Sequence, residues 1–233
     1  MALRTVVLLP TYNEHENLPT LVEEIRATAP IDVMILDDDS PDGTGAAADL
    51  LAKKDSAVTV VHRGPRQGVA KAYLDGFERA LAARYDHIVQ MDADFSHQPR
   101  YLPKLLEALE RSDVVVGSRY VDGGRVEQWG LGRRVVSRAA NAYAGLVLGM
   151  PYRDSTSGFV AWRRHVLEAI EPSTLSAEGH AFQIELKFRA HQKGFTISEV
   201  PISFWDRVVG SSKLTQQNAA ESALHLVRLR LGR

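Results

Sequence analysis

The segment HIVQMDADFSH, residues 87–97, combines the two patterns that decide how this chain folds and where its chemistry lies. The run from His87 to Gln90 is short, with Ile88 and Val89 apolar at its centre, which predicts a buried strand. Asp92 and Asp94, two carboxylates separated by one residue, follow it directly. In open sheets of parallel strands, ligands bind beyond the carboxyl ends of the strands. The segment therefore predicts a binding site at the end of a strand.

Asp92 and Asp94 would repel each other unless a positive charge lay between them. A hard divalent cation, Mg²⁺ or Mn²⁺, prefers oxygen ligands and commonly brings phosphates with it. The alternative is that Asp92 caps a turn or a helix and that Asp94 is a solvated loop residue. For an isolated pair of this kind the alternative is the more frequent one, so the interpretation depends on the rest of the chain.

Composition limits the class of protein before other motifs are considered. The chain has 233 residues, of which 45% are hydrophobic and 24% charged, and it contains no cysteine. This length suits one large domain or two small ones with a real core. The formal net charge of −1 argues against a nucleic-acid-binding protein, which is normally basic. The lack of cysteine excludes disulfides and thiolate metal sites and fits a reducing compartment.

The sequence gives no sign of a membrane span. No stretch contains the roughly 18 uncharged apolar residues that a span needs, and the N-terminal apolar run Thr5–Leu9 is too short for a signal peptide. We therefore expect a protein that is not integral to a membrane. Two amphipathic segments, 135–148 and 219–231, fit either a membrane surface or docking on the protein core. The apolar side of the second segment consists of Ala220, Ala223, Leu224, Val227 and Leu231.

Strand-like and helix-like patterns alternate along the first half of the chain. The predicted strands are 5–9, 31–36, 58–61, 88–91 and 114–116, and the predicted helices are 18–25, 46–51, 69–83 and 101–109. This alternation predicts βαβ units, and hence an α/β fold with a mostly parallel central sheet and helices on both faces. The pattern becomes less regular near Tyr120, but no repeat or linker interrupts it. We therefore predict a single domain, residues 1–233.

Three loops that follow predicted strands are acidic: one around Glu14, one at 37–39, and one with Asp92 and Asp94. Because the carboxyl ends of parallel strands share one edge of a sheet, these loops can converge on a single crevice. The glycine-rich phosphate-binding fingerprints are missing after the first strand. A nucleotide would then be held by carboxylates at its ribose or base and by a metal at its phosphates.

Several stretches that are weak alone form a specific set together. They are PTYNE at 10–14, DDDSPDGT at 37–44, MDADFSH at 91–97, GSRYVDGG at 117–124, the segment 133–141, STSGF at 155–159 and FWDRVVGSSKL at 204–214. In this set the chain resembles the family-2 glycosyltransferases of GT-A (Rossmann-like) fold, and within them the polyprenol (dolichol) phosphate mannosyltransferases. The resemblance implies inverting transfer of mannose from GDP-mannose to a polyprenyl (dolichyl) monophosphate, with Mg²⁺ or Mn²⁺. It divides the domain into a nucleotide-sugar-binding half, 1–117, and an acceptor-binding half with interfacial helices, 118–233.

The resemblance also implies roles for individual residues. The nucleotide sugar and its metal would be bound by Pro10, Tyr12, Glu14, Leu36, Asp38, Asp39, Asp92, Ala93, Asp94, Arg119, Arg207 and Lys213. Asp92 and Asp94 would be the metal ligands, and Arg119, Arg133 and Ser137 would face the acceptor phosphate. Asp92, Asp94, Arg119 and Arg133 would form the catalytic set.

The implied reaction explains the need for these residue types. A departing diphosphate develops negative charge that a cation can neutralise, with Arg207 and Lys213 on a mobile flap reinforcing it. A phosphate acceptor, with a second pKa of roughly 6, needs positioning by cations rather than a general base. Arg133, Ser137 and Asn141 lie at i, i+4 and i+8, on one helix face. Alternatively, Arg207 and Lys213 belong to a solvated basic loop. The residues at 133, 137 and 141 would then lie on an ordinary amphipathic surface helix.

Three further residues each fit more than one role. Ser96 stands where some members of the family have Gln, which leaves the third metal ligand open. His97 could be a general base by residue type, but histidines in loops before helices are often structural. Glu185 could also be a base, although it lies four residues before Arg189 and an intrahelical ion pair explains both residues equally well.

Other functions fit part of the pattern. The same fold could transfer glucose or another hexose from a UDP- or GDP-sugar, since the shape of the pocket selects base and sugar. A non-catalytic Mg²⁺-binding α/β switch domain needs about half this length and leaves the basic residues unexplained. A membrane-surface scaffold with a decayed site would not explain the intact carboxylates. We expect a peripheral protein on the cytoplasmic face of a membrane, with room for an integral-membrane partner protein and without a nucleic-acid partner.

Overall fold

A computed structural model describes residues 3–175, 179–205 and 216–231 of the chain. The strands are β1 (Thr5–Thr11), β2 (Asp32–Asp37), β3 (Val58–His62), β4 (His87–Gln90), β5 (Val114–Ser118), β6 (Arg125–Val126), β7 (Val160–Arg163), β8 (Ile197–Pro201) and β9 (Ser203–Phe204). The helices are α1 (Leu18–Thr28), α2 (Thr44–Lys54), α3 (Val69–Ala82), α4 (Leu102–Ala108), α5 (Leu131–Leu148), α6 (Arg164–Ile170), α7 (Gly179–Gln192) and α8 (Gln216–Arg230), with 3₁₀ turns at Pro99–Tyr101 and Pro172–Thr174. The predicted elements of the first half are confirmed, with ends that differ by a few residues.

The central sheet has the strand order β3-β2-β1-β4-β7-β5-β8. Its neighbouring strands are parallel except at β7, which runs antiparallel to both β4 and β5. The prediction of a mostly parallel sheet is confirmed. The sequence did not reveal β7, because this strand has four residues and lies in the less regular second half of the chain. The short strands β6 and β9 pair in parallel beside the main sheet.

Apolar cores cover both faces of the sheet. Successive side chains of a strand point to opposite faces, so Val6 and Leu8 of β1 pack into one core and Val7 and Leu9 into the other. The first core includes residues of α3, and the second includes residues of α1 and α4. Strands that are buried on both faces read as continuous apolar runs, which is why the sequence identified β1 so clearly.

A third, smaller core joins α5, α7 and α8. Leu148 of α5, Phe188 of α7 and Leu226 of α8 are buried there. Leu226 was not on the apolar side expected for the C-terminal segment, and Leu224 and Leu231 of that side are exposed. Of the two alternatives for this segment, the structure shows docking of α8 on the core, through a face of the helix that includes Leu226.

Candidate active site

The acidic loops predicted to converge lie along one edge of the sheet. They follow β1, β2 and β4, which are neighbours in the sheet and run parallel. Each loop contains a non-glycine residue with left-handed backbone: Asn13 (φ 61°), Asp39 (φ 55°) and Phe95 (φ 59°). Asn and Asp adopt this conformation readily, whereas at Phe95 it is strained, and backbone strain of that kind is often found at functional sites. This edge is therefore the candidate active site.

The two carboxylates of the D-x-D pair have different surroundings. Asp94 is 7% exposed, and its Oδ1 accepts hydrogen bonds from the backbone nitrogen (3.1 Å) and the hydroxyl (2.5 Å) of Ser96. The Asp92 side chain is 30% exposed, and its Oδ1 accepts a hydrogen bond from the Tyr73 hydroxyl at 3.1 Å. Burial and the Asp92 carboxylate raise the pKa of Tyr73 well above its usual value, so this phenol is a neutral donor. Both carboxylates are thus oriented by the protein itself.

His97 stabilises the D-x-D loop, residues 91–97, through a hydrogen bond and ring stacking. Its Nδ1 accepts a hydrogen bond from the Asp92 backbone nitrogen at 3.0 Å, and its ring stacks on Phe159 with 5.1 Å between centroids. Burial lowers the pKa of His97, against the opposing effect of the Asp92 and Asp94 carboxylates. The imidazole is therefore neutral at neutral pH, with its proton on Nε2. These contacts favour the structural role over that of a general base.

The residues present fit a magnesium or manganese ion. Asp92 and Asp94 offer a pair of carboxylates. In the described parts of the chain, no group of three His, Cys, Asp or Glu side chains forms a candidate metal site. Magnesium and related cations commonly bind through one or two carboxylates and complete their shell with water and substrate phosphates. Structural zinc sites have four protein ligands instead. Ser96 contributes by orienting Asp94.

Asp38, a predicted nucleotide contact, is already engaged by the protein. It forms a buried ion pair with Arg63 and accepts hydrogen bonds from the backbone nitrogens of Gln67 (3.2 Å) and Gly68 (3.1 Å). These bonds tie the loop after β2 to the loop before α3. The observed role of Asp38 is to shape this part of the edge.

The remaining predicted nucleotide contacts lie along the same edge. Pro10 of β1 pairs in register with Leu36 of β2. The guanidinium carbon of Arg66 lies 4.1 Å from the centre of the Tyr12 ring. Among the other predicted residues, Glu14 is partly buried, Asp39 exposed and Ala93 buried. Arg207 and Lys213, the predicted flap cations, lie outside the described residues.

Arg119 forms a buried ion pair near this edge through two of its nitrogens. Its Nε and Nη2 donate to the two carboxylate oxygens of Asp154 at 2.7 and 2.6 Å, and Nη2 also donates to the Thr156 hydroxyl at 2.7 Å. Both charged residues are buried. Burial alone would lower the pKa of Arg119, but the Asp154 carboxylate outweighs it and the pKa is raised. Arg119 is therefore a fixed cation.

The predicted acceptor residues of α5 are linked to this ion pair. Asn141 Nδ2 donates to the Thr156 hydroxyl and to the Ser137 carbonyl, both at 3.0 Å. The Ser137 hydroxyl accepts a hydrogen bond from the Tyr120 hydroxyl at 2.7 Å. The guanidinium carbon of Arg133 lies 3.9 Å from the centre of the Trp129 ring. The structure thus brings Ser137 and Asn141 to the Arg119 ion pair.

Phe204 connects the two groups of residues. Its ring centroid lies 5.6 Å from that of His97, below the D-x-D loop, and 5.2 Å from the guanidinium carbon of Arg119. The Asp92 carboxylate also contributes to the raised pKa of Arg119. The carboxylate pair and the buried cation are therefore close enough to act on one bound molecule.

Sequence reasoning missed Asp154 and Lys187, which organise the segment 154–158. Lys187 of α7 is completely buried, and its Nζ donates to the carbonyls of Ser155, Ser157 and Gln183 at 2.8 to 3.0 Å. The available signal was a lysine among apolar residues in the middle of a helix, since a buried lysine needs partners.

Replacing Lys187 by Met should destabilise the protein and remove a dependence of stability on pH. Burial lowers the pKa of Lys187 to about 7, so the unfolded chain binds more protons than the folded chain from about pH 7 upward. The free energy of unfolding of the wild type should therefore rise with pH above about 7 through this group. Lys187→Met should lack that rise and lose about 1–3 kcal/mol at pH 7, because buried carbonyls lose their donor.

Urea denaturation at pH 7 and pH 9 measures this effect as the difference between the two proteins. Lys193→Met, a change at an exposed lysine after the same helix, should retain the wild-type dependence on pH. A difference between wild type and Lys187→Met that stays constant or shrinks at pH 9 would show that the pKa of Lys187 is not lowered.

Glu185 faces α8. Its Oε1 accepts a hydrogen bond from Arg189 at 2.7 Å, and its Oε2 lies 3.0 Å from Nε2 of His225. The predicted intrahelical ion pair with Arg189 is confirmed, and Glu185 is buried. These contacts connect α7 to α8 and explain the residue without a role in proton transfer.

Comparison with known proteins adds independent findings. The family described as "Glycosyl transferase family 2" matches residues 6–171. The chain is 46% identical to a polyprenol monophosphomannose synthase of Mycolicibacterium smegmatis, over 94% of this chain and 84% of the relative. It is 41% identical to an undecaprenyl-phosphate mannosyltransferase of Micrococcus luteus, over 97% of this chain and 93% of the relative.

Among solved structures, the chain is similar to glucosyl-3-phosphoglycerate synthase from Mycobacterium tuberculosis in complex with Mn²⁺ and UDP-glucose. The TM-score is 0.67 at 23% identity, with 98% of this chain and 79% of that chain covered. The same enzyme with Mn²⁺, UDP and phosphoglyceric acid gives a TM-score of 0.67 at 21% identity, covering 98% and 78%. At these identities the likeness concerns the fold alone, and it confirms the predicted GT-A architecture.

Proposed function

Because the chain belongs to glycosyl transferase family 2, we propose that it transfers mannose from GDP-mannose to a polyprenyl monophosphate, with inversion at the sugar carbon. The observation that carries the proposal is the meeting of the D-x-D carboxylates and the buried Arg119 cation at Phe204. The first group suits a metal-bound diphosphate and the second suits an anionic acceptor. The names of both curated relatives support mannose and a polyprenyl phosphate.

The donor would be bound at the edge formed by β1, β2 and β4. Asp92 and Asp94 would hold Mg²⁺ or Mn²⁺, and solved structures of similar fold contain Mn²⁺ with UDP-glucose. When bound, such a cation supplies charge neutralisation for the departing diphosphate. Tyr73 and Ser96 keep the two carboxylates oriented, so little rearrangement is needed when the donor arrives.

The acceptor phosphate would be bound on the opposite side of Phe204. A phosphate monoester is largely dianionic at neutral pH, so it can attack the sugar carbon without a general base. Arg119 is held by Asp154 as a permanent positive charge, while Arg133 and Ser137 lie on the same face of α5. In this proposal the halves 1–117 and 118–233 of a single domain supply donor and acceptor sites respectively.

Incubation with radiolabelled GDP-mannose, polyprenyl phosphate and Mg²⁺ tests the proposal. We expect label to pass into an organic-soluble product, and we expect no transfer when EDTA replaces the metal. UDP-glucose serves as the competing donor, because the fold also occurs in glucosyltransferases. Transfer from UDP-glucose alone would replace mannose by glucose in the proposal, and transfer from neither donor would reject it.

Replacing Arg133 by Ala should weaken use of the acceptor far more than binding of the donor. A charge-assisted hydrogen bond to phosphate contributes about 1.5–3 kcal/mol, so KM for polyprenyl phosphate should rise roughly 10- to 100-fold. The KM for GDP-mannose should stay within about twofold. Steady-state kinetics with each substrate varied in turn measure both values.

Arg111→Ala, at an exposed arginine after α4, is the matched control and should change neither KM. An equal rise in both KM values for Arg133→Ala would show that Arg133 does not serve the acceptor specifically.

A long isoprenoid acceptor requires that the protein reach a membrane surface. None of the helices in the described residues is long and apolar enough to span a bilayer. Helix α5, however, directs large apolar side chains outward, with Leu131 80% and Leu146 84% exposed. Arg138 on the same helix is also exposed. We propose peripheral attachment through α5 at the cytoplasmic face, where anionic lipids attract basic residues.

Liposome flotation tests this attachment. We expect the protein to float with anionic vesicles at low salt and to be released at high salt, because exposed charges are screened. Leu131→Gln combined with Leu146→Gln should reduce flotation several-fold, because it removes apolar side chains from the lipid-facing surface. Leu50→Gln, at an exposed leucine of α2, is the control. Failure of the wild type to float at low salt would contradict the proposed attachment.

A further inference from the structure

A chain of buried polar side chains leads from the core to the candidate active site. Trp162 of β7 donates its indole hydrogen to Gln90 Oε1 at 2.8 Å, and Gln90 Nε2 lies 3.3 Å from Gln183 Oε1. Trp162 and Gln90 are completely buried, and Gln183 is almost so. Apolar side chains would fill this space at a lower desolvation cost. The presence of a polar chain therefore indicates a function for the group at its end nearest the candidate active site.

The chemistry of the first donor fixes the orientation of every following group. The indole nitrogen of Trp162 can only donate a hydrogen bond, so Gln90 must turn its oxygen toward it. The amide nitrogen of Gln90 then faces Gln183, whose oxygen accepts the bond. As a result, the Gln183 amide nitrogen is the group that points onward. The chain therefore ends in a neutral hydrogen-bond donor of fixed orientation.

That donor lies beside the D-x-D pair. A Cβ atom added at Gly158 would lie 3.6 Å from Gln183 Nε2, 3.6 Å from His97 Cε1 and 3.7 Å from Asp92 Oδ2. Gly158 itself is partly exposed. The space over this glycine is thus bordered by the Gln183 amide on one side and the Asp92 carboxylate on the other.

We propose that Gln183 is a specificity-determining residue that donates a hydrogen bond from Nε2 to a hydroxyl of the transferred sugar. This inference rests on the proposed function, in which the donor diphosphate is bound at Asp92 and Asp94. In that arrangement the sugar bonded to the diphosphate would lie beside Asp92, on the partly exposed side of Gly158. A neutral donor suits a neutral hydroxyl oxygen, whereas the phosphates are served by the cation and by the arginines.

The fixed orientation explains why Gln183 can select a sugar. A site built to hydrogen-bond a hydroxyl rejects an analogue that lacks it, because its buried polar group is left without a partner. Gln183 cannot rotate its amide to accept instead of donate, since that would oppose two nitrogens at Gln90. The same constraint means that the position offers no base, which agrees with an acceptor that is already ionised.

The test compares the binding of a set of ligands to wild-type protein and variants by calorimetry in the presence of Mn²⁺. The ligands are GDP-mannose, GDP, and the set of GDP-mannose analogues that each lack one hydroxyl. We expect Gln183→Leu to weaken GDP-mannose binding about tenfold, as for loss of one hydrogen bond to a buried group, and to leave GDP binding unchanged. One analogue should bind the wild type about tenfold more weakly than GDP-mannose does, yet bind wild type and Gln183→Leu equally.

Two further variants separate a contact from a loss of structure. Gln183→Glu keeps the volume and an acceptor for Gln90 but lacks the outward donor, so it should lose the same discrimination. Gln192→Leu, at an exposed glutamine at the end of the same helix, should behave as wild type. Equal weakening of GDP and GDP-mannose in Gln183→Leu, or full discrimination by both Gln183 variants, would overturn the inference.

Failure of the inference about Gln183 can be distinguished from failure of the proposed function. A wild type that binds GDP-mannose but transfers no mannose to polyprenyl phosphate would reject the proposed reaction while the role of Gln183 is still decided by binding. A wild type that binds only UDP-glucose would move the same test to UDP, UDP-glucose and its deoxy analogues. A wild type that binds no nucleotide sugar would overturn both.

Discussion

Replacing Asp94 by Ala is expected to lower kcat for mannosyl transfer by roughly 10³-fold, the upper range for loss of one group that stabilises developing charge. Asp94 is the more buried carboxylate of the pair, and its loop orients it through two hydrogen bonds from Ser96. Without it, Asp92 alone would hold the cation that neutralises the diphosphate. The expected loss is in kcat and in apparent affinity for Mn²⁺, and both are measured by initial rates across a metal titration.

Asp94→Asn separates the chemical effect from a structural one. The amide oxygen can still accept the hydrogen bonds from Ser96, so the loop should keep its conformation and the protein its stability. The loss in kcat should persist, because the negative charge is gone. Asp49→Ala, which removes a half-exposed carboxylate of α2, should leave kcat unchanged. Near-normal activity of Asp94→Asn would show that the charge at this position is not needed.

Replacing Asp154 by Asn is expected to destabilise the fold by about 3–5 kcal/mol, because it leaves a buried guanidinium without its counter-charge. Asp154 is completely buried, and one of its oxygens also accepts the backbone hydrogen of Arg119 at 2.9 Å. Its own backbone is held by Glu199, which accepts hydrogen bonds from the nitrogens of Arg153 and Asp154 at 2.9 Å. Urea denaturation at pH 7 measures the change in the free energy of unfolding.

A double-mutant cycle identifies the cause of that loss. Arg119→Met alone should also be strongly destabilising, since it leaves the Asp154 carboxylate unpaired. The double variant Arg119→Met with Asp154→Asn should be more stable than the sum of the single losses predicts, because no buried charge then lacks a partner. Additive losses would show that the two residues contribute independently, and the Arg119 cation would then not depend on Asp154.

The sequence predicted the fold well where local patterns decide it. The buried strands of the first half, such as β1 and β2, contain continuous apolar runs, and the helices α1 and α3 have clear apolar faces. It did not predict β7, because an antiparallel strand inserted between β4 and β5 is specified by long-range pairing rather than by its own four residues. The docking face of α8 was missed for a similar reason, since contacts with α5 and α7 select Leu226.

The same distinction applies to the candidate site. The D-x-D pair was identified from the sequence because its position after a strand is a local property. The partners that orient this pair were not identified from the sequence. Tyr73, for example, belongs to α3 and lies 19 residues before Asp92 in the chain. Asp154 lies 35 residues from Arg119 and Gln183 lies 93 residues from Gln90. No spacing rule joins such residues, and only the fold brings them together.

In the proposed reaction, Asp92 and Asp94 hold a divalent cation together with the diphosphate of a nucleotide sugar. The most direct test is a crystal structure of the protein with GDP-mannose and Mn²⁺, in which anomalous scattering locates the metal. We predict a manganese peak bonded to an Asp94 carboxylate oxygen and to the donor diphosphate, with the mannose over Gly158. A metal peak or a diphosphate bound away from Asp92 and Asp94 would contradict the claim.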